Sequence, residues 1–214
     1  MVGNLEIGFP YRKQRRSRKS RLAHLFSCKK LSAATRIDTH NSITHTIKAA
    51  TDRLNLFSCL ETRHFADTND KRDSKTDIEI FFPHQLNLEV DVHIVCPIAP
   101  SYISRVACKG TECTHRAPCG SDEVLLKSKE QAKRRKHATR VKKKGARFQP
   151  FVLSTFGAFS GSSYDVINDL AGYAAKNFPL QWETPGEWAK HFKTQIAFQI
   201  HRETHAWWNM LYAC

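Results

Sequence analysis

Two short runs of alternating residues constrain the fold of this chain more than any other feature: 77–82 (DIEIFF) and 88–95 (LEVDVHIV). Both are rich in Val, Ile and Phe and alternate apolar with polar positions. Pro83-His84-Gln85 stands between them, so the pattern predicts a β-hairpin. Pro97 and Pro100 end the second strand. Period-two geometry then puts Glu89, Asp91 and His93 on one face of that strand.

The other elements follow from spacing and punctuation. Ile43, Ile47, Ala50 and Leu54 recur at helical intervals, predicting a helix over 40–55. Residues 56–62 have β character, and 64–75 is charged without apolar spacing, which reads as a loop. Residues 101–121 are irregular. Residues 122–144 lack Gly and Pro and are rich in helix formers, predicting one long helix that Asp122 caps and Gly145 stops. A strand over 148–155 follows, with Pro150 marking an edge strand or a strand start. Two further helices are expected over 163–177 and 187–211, linked through Pro179 and Pro185. The order predicts an α/β fold, a mixed sheet of about four strands flanked by helices, plus two C-terminal helices. Residues 1–38 read as a basic flexible arm and 39–214 as the folded domain.

The net charge of +14 is concentrated. Between Arg12 and Lys30 stand nine basic residues, Arg15 and Arg16 among them, and no acid. A second block runs from Lys127 to Arg147 and holds Lys133, Arg134, Arg135, Lys136, Arg140, Lys142, Lys143 and Lys144, opposed only by Glu130. Such clusters are the footprint of a polyanion, here DNA or also RNA, and they make binding salt-dependent. The plainer readings are an import signal for the arm and a solvated face for the helix. Neither block has the apolar stripe that would insert into lipid, so no membrane partner is expected. No run of about 18 apolar residues exists to span a bilayer. The amino terminus has no apolar stretch of signal-peptide length, and the seven cysteines are odd in number and unevenly spread. A nuclear or cytoplasmic, unsecreted protein is expected.

Asp77 opens one hairpin strand and Asp91 interrupts the apolar run of the next. Turned to one edge of the sheet, the two carboxylates could hold Mg²⁺, a hard ion that takes one or two carboxylates plus water and phosphate oxygens. The plainer reading of the same alternation is an amphipathic strand with a wet face.

Taken with their order and spacing, several words in the chain resemble one family. They are Thr76-Asp77, LEVDVHIVCPIAPSY over 88–102, KRRKHA over 133–138, GARFQPFVLSTFGAFS over 145–160 and QIAFQIHRE over 195–203. From about His40 almost to its end, the chain resembles the restriction-enzyme-like endonuclease domain of certain non-LTR retrotransposon polyproteins, which there follows a reverse transcriptase. The resemblance implies a PD-(D/E)XK-type nuclease fold with an αβββαβ core, and metal-dependent nicking of DNA with Mg²⁺ or Mn²⁺. Carried over by position, Asp77 and Asp91 are the catalytic acids and metal ligands. The catalytic lysine is expected on the following helix, with Lys136 the first choice and Lys133, one turn earlier, the second. Thr76 stands where the family has proline, and His137 where it tends to have tyrosine. No polymerase precedes the domain, so the expectation is a detached nuclease. Its alternatives are a catalytically silent binding relic and a non-functional fragment.

Cys108, Cys113, His115 and Cys119 place four soft ligands close together as C-x4-C-x-H-x3-C, a possible zinc site of unusual spacing. Free thiols in a loop are the commoner explanation.

Overall fold

The computed structural model describes residues 29–64, 74–97 and 122–212. In chain order the elements are α1 (Lys29–Arg53), β1 (Phe57–His64), β2 (Ser74–Phe81), β3 (Leu88–Val95), α2 (Asp122–Lys143), β4 (Arg147–Ser154), α3 (Gly161–Asn177) and α4 (Pro185–Tyr212). The strands form one four-stranded sheet in the order β1-β2-β3-β4. β1, β2 and β3 form an antiparallel meander, whereas β4 lies parallel to β3. A parallel neighbour needs a crossover, and α2 lies within it. This is the α/β mixed sheet with flanking helices that the element order predicts.

Alternation along the strands divides the molecule into layers. Ile78, Ile80, Leu88, Val90, Val92, Phe151 and Leu153 face α1, α3 and α4, where Ile43, Ile47, Val166, Ile167, Leu170, Phe192 and Ile196 close the main core. The opposite face packs on α2 through two small apolar clusters. One joins Leu125 and Leu126 to Val95 and Val152; the other joins Val141 to Ala146 and Phe148. The sheet surface between these clusters is polar.

Two element bounds differ from expectation. α1 begins at Lys29, well before His40. Ala33 and Ala34 are strong helix formers, but the apolar stripe starts only at Ile43, so spacing could not register the earlier turns. β2 begins at Ser74 because Ser74, Lys75 and Thr76 pair with His64, Arg63 and Thr62, lengthening the hairpin into what read as loop.

β4 is an edge strand, as Pro150 requires, and the start of α3 covers its free side. Ser162 Oγ donates to the Pro150 carbonyl at 2.6 Å, and Ser163 Oγ and the Ser160 amide both donate to that of Val152. At α4, Thr184 and Glu187 exchange side-chain-to-amide bonds around Pro185, a capping box that sets the helix start. The arm residues Arg12, Arg15 and Arg16 lie outside the described residues, as do Cys108, Cys113, His115 and Cys119. No described helix is long and apolar enough to cross a membrane.

Candidate active site

The antiparallel register sets Ile78 opposite Val90 and Glu79 opposite Glu89, and Asp77 lies one residue beyond the Ile78–Val90 pair. The β1 ladder is interrupted at this point. Leu60 pairs with Ile78 and Thr62 with Thr76, but Glu61 between them takes a left-handed φ of 53°, a conformation that costs a residue with a Cβ about 1 kcal/mol. Beside this kink the Asp77 carboxylate turns toward β3. Its Oδ2 accepts from the Val92 amide at 2.6 Å and from His40 Nε2 of α1 at 2.9 Å, and Asp91 is close enough to feel the Asp77 carboxyl.

Asp91 is only 4% exposed and Glu89 wholly buried, so this face of β3 is not the wet side of an amphipathic strand. A buried carboxylate must have partners, and α2 supplies them. Lys133 Nζ lies 2.8 Å from Asp91 Oδ2, and His137 Nε2 lies 3.2 Å from the same oxygen. The His137 ring is itself buried and stacks on Phe148. Burial alone would raise the Asp91 pKa. His137 and the Lys133 ammonium outweigh it and hold the carboxyl well below the usual carboxylate range.

Three histidines border the acids, and two of them are pushed in opposite directions. The hydrogen bond to Asp77 raises the pKa of His40. Burial, reinforced by Lys133 and Lys129, lowers that of His93 to about 4, so His93 is neutral near pH 7. One turn of sheet away, Glu79 and Glu89 face each other and would repel. Lys144 Nζ binds both, at 2.7 and 3.1 Å, while Thr76 Oγ1 donates to Glu89 and Asn87 Nδ2 to Glu79. Burial works against the lysine's charge, but the two glutamates raise its pKa overall.

The residues singled out from sequence separate into groups. Asp77 and Asp91 come together, and Lys133 reaches Asp91. Lys136 is exposed on a different face of α2, away from the acids. Lys144 is engaged by Glu79 and Glu89, and Arg134 by Glu130 and Gln149. Arg135, Lys142 and Lys143 are exposed, and Arg140 partly so. His40, missed from sequence, comes from a distant helix and carries no local signal. His137 and Lys133 share the helical phase of Leu126 and Val141, the buried stripe of α2, which would have singled them out.

Among the described residues, no three His, Cys, Asp or Glu side chains converge as a ready metal cage. The available hard donors are the two aspartates. No protein-family model matches the chain, and no curated protein is significantly similar to it.

Proposed function

We propose that this chain is a metal-dependent DNA endonuclease domain that nicks its substrate, of retrotransposon type as the sequence resemblance implies. What supports this is the convergence of Asp77, Asp91 and Lys133, with Lys133 Nζ 2.8 Å from the Asp91 carboxylate. Asp77 and Asp91 would hold Mg²⁺ or Mn²⁺, whose remaining positions suit water and phosphate oxygens. When bound, the cation supplies Lewis-acid stabilisation of charge on the phosphate and leaving oxygens.

The chain's own residues do the rest. The Val92 amide and His40 fix the Asp77 carboxylate in place. Lys133, with its side chain 21% exposed, can pivot from Asp91 toward a phosphate oxygen or attacking water and offset developing charge. The exposed bases of α2, Arg135, Lys136 and Lys142, suit contacts to the duplex backbone, which position the substrate without reading its bases. A second reading, a catalytically silent binder of the same shape, is favoured by Lys133 and His137 already crowding one oxygen of Asp91.

The test is nicking of supercoiled plasmid in Mg²⁺ or Mn²⁺. Nicking that is lost with chelator and lost at least 100-fold in Asp91→Ala is the expected result. Lys133→Ala should lose far more rate than Lys136→Ala. Salt-sensitive retention of plasmid without nicking would establish the silent binder instead.

A further inference from the structure

Between α1 and α4 runs a groove of about 660 Å³, continued by a smaller one of about 280 Å³ that shares Arg53, His191 and Gln195 with it. It opens at Ser42, two residues along α1 from His40, and reaches Arg53. At the helical rise that is roughly 16 Å, room for a few nucleotides. α1 contributes His45 and Arg53 to its walls, and α4 contributes His191 and Arg202. Neither section is lined by an acid. Of the acids adjacent in sequence to the lining arginines, Asp52 is bound by Lys48, and Glu203 by Ser42, Gln199 and Arg202.

Within this channel, whose lining exposes more apolar than polar surface and carries the charges of Arg53 and Arg202, Phe198 is 64% exposed. Further along, the rings of Trp182 and His191 lie 5.3 Å apart. A basic track with aromatic platforms is the chemistry of single-stranded nucleic-acid binding, since bases stack on rings without regard to sequence.

We infer that this groove holds single-stranded DNA, with a phosphate on Arg53 and a base stacked on Phe198. That the groove binds a strand does not rest on the nuclease reading above. The chain's own basic arm has the wrong sign of charge to fill it, and a second copy would set base against base.

The experiment is fluorescence anisotropy of the full chain with a labelled oligothymidylate, in chelator so that binding is read without cleavage. Phe198→Ala and Arg53→Gln are each expected to weaken binding on the order of 10-fold. Both side chains are exposed, and thermal melts check that each variant folds. If either fails to fold, the other carries the test. Absence of oligothymidylate binding, or wild-type affinity in the folded variants, overturns the inference. So does tighter binding of oligouridylate, which would make the occupant RNA, or a dimer in sedimentation that Phe198→Ala dissolves. Plasmid nicking is scored separately, so a protein that binds strands through Phe198 but never nicks loses the nuclease reading and keeps the groove.

Discussion

Replacing Lys133 by methionine removes the ammonium beside Asp91 and leaves that carboxylate buried against His137. Breaking a buried pair from one side should cost about 3 kcal/mol, and adding Asp91→Asn should restore part of it, read as the urea midpoint. The histidines give the site a pH signature. His93 has its pKa depressed from 6.5 to about 4, so over that interval the unfolded chain takes up a proton that the folded chain refuses. Stability should therefore fall as pH drops from about 6.5 to about 4, by up to about 3 kcal/mol, and His93→Gln should flatten that limb in pH-dependent denaturation. His40 is shifted the other way. Its contribution is complete below about 6.5 and is lost as pH rises through its folded value, so these two residues together favour a maximum near pH 6.5. Asp91 and His93 stand out in the sequence because they interrupt an apolar strand, and Asp77 because it opens the neighbouring one. A motif word points to Lys136, whereas the phase of Leu126, His137 and Val141 points to Lys133, whose Nζ lies 2.8 Å from Asp91.

At the scale of elements, α2 compensates a polar sheet face from its middle and from its C-terminal end. Lys133 serves Asp91 midway along it, and Lys144, just past its last turn, serves Glu79 and Glu89. Lys144→Met should destabilise by about 2 kcal/mol, because two buried glutamates then face each other unneutralised, and adding Glu79→Gln should recover most of the loss in a double-mutant cycle. The amphipathic and alternating elements were legible because each follows its own period. The first turns of α1 and the base of the β1–β2 hairpin were not, since what orders them is pairing and propensity without an apolar stripe. The serines at the start of α3 illustrate another limit. Ser160, Ser162 and Ser163 carry no pattern that singles them out, yet they supply donors to the open edge of β4, a role visible only once the edge is placed.

Across the whole molecule, positive charge is divided between inward counter-ions and an exposed remainder. Only the exposed part is free to release counterions from DNA. Retention of plasmid should therefore weaken steeply with salt, and the triple variant Arg135→Ala, Lys136→Ala, Lys142→Ala should reduce the logarithmic salt slope by about 2–3, measured by titration at several ionic strengths. The parallel pairing of β3 with β4 also dictates a chronology. β1, β2 and β3 are joined by near-neighbour contacts and can zip early, whereas β4 is reached only after the crossover through α2. Long-range pairings of this kind form late. Until α2 docks, three carboxylates on the meander, Glu79, Glu89 and Asp91, have no lysine opposite them, so the hairpins cannot bury that face alone. The chemistry-bearing cluster therefore comes into being in the final act of folding, and a chain halted before α2 would expose an acidic sheet rather than a weakened site.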